Sequence, residues 1–287
     1  MHTLDSWQNA GAYFNYNGNK VFYVDEGQGK PIVFLHGYPS AGYDWKYIWD
    51  DLKPNHRLIA ADFLGFGFSD KPKTLNYTIH LQTDVIIALL NKLGIAEFDL
   101  VAHDYGVSVA QELIHRQKTG TANYKITTVC LLNGGLFPEL HRPVLMQKLL
   151  VSPLGPLLGK LFTEQRFSKS FGQVFAPDKK PKVADMHEFW QMIQYNNGQA
   201  IIHKMLHYIA DRKTNRDNWV GAIIDPPMPV RLINGSLDPV SGKHLANGYR
   251  VMVKNPNIVE LPATGHYPQV ESPAEVLIAI KEWVDVN

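Results

Sequence analysis

A mostly parallel α/β sheet covered by helices on both faces, with a helical segment inserted between its two halves, is the fold class this sequence predicts. Three observations predict it. Short apolar runs such as Pro31-Ile32-Val33-Phe34-Leu35 read as strands buried on both faces. These runs alternate with helical patterns, which implies parallel strands joined by helical crossovers. Between about residues 137 and 216 the alternation stops and no strand pattern is found.

The first 35 residues read as strands. Residues 12–16 and 20–24 flank Asn17-Gly18, a hairpin signal, and the run ending at Leu35 leads into His36-Gly37. A helix follows over 45–52, a strand over 57–61, and a helix over 83–93 stopped by Gly94. Residues 97–102 read as a strand, 106–117 as a helix and 126–133 as a strand. The middle segment reads as helices broken by prolines, its later part as two helices around Asn196-Asn197-Gly198. Strands at 230–233 and 257–261 then alternate with helices at 242–253 and 273–284. The expected units are a discontinuous core, 1–136 and 217–287, and an inserted helical cap, 137–216.

Composition excludes several functions. The 287 residues carry 28 Lys+Arg against 27 Asp+Glu, a net charge of +1, with no basic patch to hold nucleic acid. The one cysteine, Cys130, lies in an apolar run and reads as a buried thiol, so no intrachain disulfide forms. The N-terminal MHTLDSWQNA has no apolar signal region, and no run suffices for a membrane span. A cytoplasmic location without membrane association is the expectation.

The chemistry concentrates at strand ends. In Ala102-His103-Asp104-Tyr105-Gly106 a strand enters and a helix leaves, with small residues two positions on either side of Asp104. A turn this sharp lifts Asp104 above the sheet edge, beside the N-terminal N–H groups of the next helix. His36-Gly37-Tyr38-Pro39 follows another strand, where the Tyr38 N–H would complete an oxyanion hole with that of Tyr105. Asp238 and His266 each follow a later strand, 134 and 28 residues apart in the order Asp104, Asp238, His266. Open α/β sheets place their sites at these strand ends.

On these residues the chain resembles the epoxide-hydrolase-like, aspartate-nucleophile branch of the α/β-hydrolases. His36 to Pro39 is similar to that branch's H-G-x-P, and His103 to Gly106 to its aspartate-centred elbow. Within the branch it looks closest to mesoderm-specific transcript proteins. That likeness rests on Ala61-Asp62-Phe63-Leu64-Gly65-Phe66-Gly67-Phe68-Ser69-Asp70-Lys71-Pro72, on Asn133 to Pro143, and on Leu237-Asp238-Pro239-Val240. The resemblance implies an α/β-hydrolase fold with a cap, no cofactor, a small apolar substrate and water as co-substrate. It implies Asp104 as nucleophile, Asp238 and His266 as the water-activating pair, and the Tyr38 and Tyr105 N–H groups as oxyanion donors. It also implies leaving-group acids from the cap, for which Tyr208 and His141 are the candidates. Tyr38 and Tyr105 stand where dehalogenases of the branch carry Asn or Trp N–H donors, which favours epoxides over halides. The alternatives are a dehalogenase or another aspartate-nucleophile hydrolase, and a ligand-binding protein on the same fold.

Other signals read as structural. Ser108 in Gly106-Val107-Ser108-Val109-Ala110 approximates a serine elbow, but a turn there would run the strand through Asp104. Gly65-Phe66-Gly67 lacks the third glycine of a nucleotide loop, and His203 with His207 lacks the glutamate and third ligand of a zinc site. His103 is expected to pack at the elbow.

Overall fold

The computed structural model describes residues 1–286. Eight strands form one sheet in the order β1-β2-β4-β3-β5-β6-β7-β8. β1 (Gly11–Tyr16) and β2 (Asn19–Glu26) are the expected hairpin; Asn17 and Gly18 both have positive φ, 50° and 85°, as its tight turn requires. β2 pairs antiparallel with β4 (His56–Ala61). The remaining pairs are parallel and link β3 (Lys30–Leu35), β5 (Glu97–His103), β6 (Lys125–Leu132), β7 (Val230–Gly235) and β8 (Asn257–Leu261). In β3 the run Ile32 to Leu35 is buried throughout, as a strand covered on both faces must be. Each such side chain contributes roughly 1.5–3 kcal/mol by leaving water.

The N-terminal segment is not all strand. Residues 4–10 form α1 (Leu4–Ala10), because Thr3 and Ser6 cap each other's backbone N–H groups at 3.2 and 2.9 Å. Trp7 on this helix is buried edge-on against Trp49, with ring centroids 5.0 Å apart. A helix of two turns with one buried residue leaves almost no periodicity to read. α2 (Lys46–Leu52), α3 (Ile79–Lys92) and α4 (Tyr105–Lys118) follow as expected. α3 starts four residues early because Thr78 caps it, its hydroxyl accepting from Leu81 N.

Between β6 and β7 the chain is helical: α5 (Leu145–Val151), α6 (Gly155–Lys160), α7 (Glu164–Phe171), α8 (Val183–Gln194), α9 (Ile202–Met205) and α10 (Tyr208–Thr214). The break after α8 falls at Asn196 and Asn197, both at positive φ. α11 (Arg216–Ile224) then packs against α4. α12 (Lys243–Met252), a short α13 (Pro268–Glu271) that has no sequence forecast, and α14 (Pro273–Val284) complete the fold.

The connections β3–α2–β4 and β4–α3–β5 run in opposite directions across the sheet. Right-handed crossovers therefore put α2 and α3 on opposite faces, and α2 packs with α14 while α3 packs with α4. Opposite travel also opens a crevice beyond the C-terminal ends of β3 and β5. Among the described residues no helix is long and apolar enough to cross a membrane.

Candidate active site

Four strand ends meet at this crevice. Asp104 follows β5 with φ 43° and ψ −101°, a strained conformation for a residue other than glycine. The turn depends on Gly106, where an added Cβ would lie 2.5 Å from the backbone oxygen of Leu35 on β3. Strand and helix thus fold past Asp104 as closely as the small flanking residues suggest. The Tyr38 N–H, following β3, donates to Asp104 Oδ2 at 3.0 Å. Tyr105 opens α4, so its N–H has no acceptor within the helix.

His266 and Asp238 complete the arrangement. His266 Nδ1 lies 2.7 Å from Asp238 Oδ2, and its Nε2 lies 3.8 Å from Asp104 Oδ1. Asp238 also accepts from Asn133 Nδ2 at 2.8 Å, Ser241 N at 3.0 Å and Ser241 Oγ at 2.6 Å, while Val240 N donates to its other oxygen at 2.7 Å. Burial opposes the Asp238 anion, but His266 and then Ser241 and Val240 outweigh it and hold the carboxyl below its ordinary pKa. Glu271 fixes the His266 loop by accepting from Gly265 N and Tyr267 N, at 2.7 and 2.9 Å.

The charges are strongly coupled. Burial opposes the charged form of His266, but Asp238 and Asp104 raise its pKa to about 10. Burial likewise opposes the Asp104 anion, yet His266 and then Arg212 hold that carboxyl well below its usual range. His266 therefore lies between two carboxylates that favour its charged form.

The segment between β6 and β7 carries Tyr208 and His141, and both lie within reach of the Asp104 and Arg212 charges. Tyr208, at the start of α10, is buried with its ring 5.2 Å from that of Tyr105 and 6.4 Å from that of Tyr38. Its hydroxyl accepts a long hydrogen bond, 3.4 Å, from Gln147 Nε2. Both ring nitrogens of His141 are buried without a hydrogen-bond partner. Burial and then the Arg212 charge lower its pKa to about 3, so its ring is neutral at neutral pH. Tyr195, the other tyrosine of this segment, sits apart against Phe68 and Lys71. Beside His266 and Tyr38 opens a narrow cleft of about 60 Å³, lined by Val144, Leu150, Phe162, Phe167 and Phe171 among others.

Ser108 is no elbow: it lies within α4, buried, and accepts from Arg212 Nε at 2.6 Å. His103 packs at the elbow as expected, against Tyr267 at 4.6 Å with Nε2 2.7 Å from the His266 carbonyl. Gly65 and Gly67, at φ 90° and 47°, shape a turn held by Asp62, which accepts from Phe68 N. Sequence reasoning did not anticipate Arg212, Asn133, Ser241 or Glu271. The one local signal was the four-residue spacing of Tyr208 and Arg212, which puts both on one helix face.

A sheet of this order, with an acidic residue at a strained strand–helix turn, defines an α/β-hydrolase. Residues 32–280 match the alpha/beta hydrolase family, and the chain belongs to it. It is 40% identical over 294 residues to the mesoderm-specific transcript homolog protein of Homo sapiens, across 98% of this chain and 88% of that protein. The haloalkane dehalogenase DatA from Agrobacterium tumefaciens C58 superposes with a TM-score of 0.81 at 22% identity, covering 99% of both chains. The epoxide hydrolase CorEH superposes with a TM-score of 0.79 at 18% identity, covering 96% of this chain and 98% of its own. At such identities the two structures speak for the fold alone.

Proposed function

We propose that this protein hydrolyses a small or medium apolar molecule through an alkyl ester on Asp104, with epoxides as its preferred substrates and residues 137–216 as a cap over the site. The observation that carries this reading is a carboxylate at the elbow, with the Tyr38 N–H 3.0 Å from one oxygen and His266 Nε2 3.8 Å from the other. A hydroxyl there would need a base before it could attack; a carboxylate is already anionic at neutral pH. Attack on an ordinary ester would give a high-energy anhydride, so the electrophile is a saturated carbon.

Asp104 Oδ2, held by the Tyr38 N–H, becomes the ester carbonyl oxygen, and Oδ1 forms the bond to carbon. The epoxide C–O bond breaks, and the departing oxygen takes the Tyr208 proton. His141, whose ring is neutral, serves as a hydrogen-bond donor rather than a source of protons. Alkylation then removes the Asp104 charge, one of the two anions that hold the His266 pKa near 10. The imidazolium becomes easier to deprotonate as the ester forms and gives its proton to the Tyr208 phenolate, so His266 is left neutral as the base for the second step. It draws a proton from water, the hydroxide adds to the Asp104 ester, and the Tyr38 and Tyr105 N–H groups hold the oxyanion. Phe162, Phe167 and Phe171 in the cleft wall suit an apolar substrate.

A single turnover in heavy-oxygen water tests the covalent route. Label should enter the Asp104 carboxylate; label in the product alone sinks it. A panel of epoxides and haloalkanes separates the substrate classes, by diol against halide release. Tight binding of either class without turnover would favour a ligand-binding protein on this fold.

A further inference from the structure

Arg212 is a charge the mechanism above leaves unused. It lies on α10, is 2% exposed, and its hydrogen bonds go to a hydroxyl and a carbonyl rather than to a carboxylate: Nε to Ser108 Oγ at 2.6 Å and Nη2 to the Asp104 backbone oxygen at 3.1 Å. Nη1 is buried without a hydrogen-bond partner. The guanidinium carbon stands 4.4 Å from the centre of the Tyr208 ring. A guanidinium buried this way is expensive unless something nearby needs its charge.

Two features show that the position is built. Gly135 makes room for it, because a Cβ there would fall 2.2 Å from Nη1 and the guanidinium would have to shift. Ser108 spends its hydroxyl on Nε. Arg212 thus spans the site, touching the nucleophile's backbone at one end and the ring of Tyr208 at the other.

We propose that Arg212 is a positioning residue that serves as the fixed counter-charge for epoxide opening, facing the anion both before and after it moves. The proposal rests on the epoxide-hydrolase reading. Before the step the negative charge is on Asp104. As the Asp104 Oδ1–carbon bond forms and the epoxide C–O bond breaks, the electron pair passes to the epoxide oxygen, which takes the Tyr208 proton. The charge then resides on the Tyr208 phenolate, against whose ring the guanidinium already lies. In the second step the imidazolium proton of His266 passes to the Tyr208 phenolate, the neutral His266 takes a proton from water as hydroxide adds to the ester, and release of the Asp104 carboxylate and the diol returns every group to its starting charge. A preformed cation at both ends lowers the cost of moving charge through a dry site. Arg212 also opposes the rise that burial and Asp104 impose on the Tyr208 hydroxyl pKa.

The test compares two probes that alkylate Asp104: an aliphatic epoxide, whose leaving oxygen needs a proton, and an iodoalkane, whose iodide needs none. The rate of Asp104 ester formation is read by rapid quench and mass spectrometry. Arg212→Met should slow ester formation from the epoxide by about 10²-fold while changing the iodoalkane rate by less than about threefold, and Arg212→Lys should recover most of the epoxide loss. Gly135→Ala, which keeps every charge but displaces the guanidinium, should show the same selective loss, and it decides the matter if Arg212→Met does not fold. Equal losses with both probes would mean a purely structural role and overturn the proposal while leaving the ester mechanism standing. Wild-type protein labelled by neither probe would overturn the ester mechanism, and the proposal with it.

Discussion

The strand-end half of the site and its helical half are held in very different ways. Asp238 takes hydrogen bonds from Asn133, Val240, Ser241 and His266, and Glu271 pins the His266 loop through two backbone N–H groups. Across the crevice, Tyr208 is met by one 3.4 Å hydrogen bond from Gln147, and both nitrogens of His141 lack partners. Asp238 and His266, the proposed water-activating pair, are therefore preorganised, while Tyr208 and His141, the proposed leaving-group donors, are held by few hydrogen bonds. Preorganised charges carry the reaction common to a fold; loosely held donors let the substrate vary.

The sharpest way to break this contrast is to remove Asp104, the proposed nucleophile. Asp104→Ala should lower turnover by roughly 10⁴-fold or more and abolish the alkyl adduct seen by mass spectrometry. Retained activity there, with loss in Ser108→Ala, would move the chemistry away from the strand ends altogether. On the helical side, Tyr208→Phe should slow epoxide opening by about 10²-fold in rapid-quench assays and leave breakdown of the preformed ester nearly unchanged. If both steps fell together, the two halves would not divide the labour as proposed.

Ser241→Ala removes a hydroxyl from a buried carboxylate and should cost about 1–3 kcal/mol in urea unfolding. Removing the Gln147 amide by Gln147→Met should cost less, since its bond to Tyr208 is long. Equal costs would erase the difference in rigidity. The pH dependence of stability tests the same half of the site. The folded pKa of His266, about 10, exceeds its ordinary value of 6.5, so its stabilising charge is fully present below about 6.5 and is lost as pH rises through about 10. Urea midpoints should fall across that window in the wild type and fall less in His266→Gln.

Much of the strand-end half was legible because its signals are local. Each strand is a short apolar run, the turn at Asp104 needs small flanks that stand two residues away, and Asp238 and His266 lie in the loops that follow β7 and β8. α1 escaped notice because Thr3 caps it with Ser6 in place of a glutamate or glutamine, and a single residue, Trp7, is buried on it. Asn133, Ser241 and Glu271 are ordinary polar residues in a sequence, and they acquire their roles by folding back on atoms elsewhere in the chain.

The sequence by itself determined the order of the eight strands, most of the helices that join them and the acidic residue at the turn after β5. Hydrophobic period, turn sterics and chain order are properties of neighbouring residues. Only the tertiary structure decided that Arg212 lies between Asp104 and Tyr208. That placement joins residues 104, 135, 208 and 212, brought together by the packing of α10 over the strand ends. It rests on a missing Cβ at Gly135 and a buried charge, and neither leaves a periodic trace in the chain.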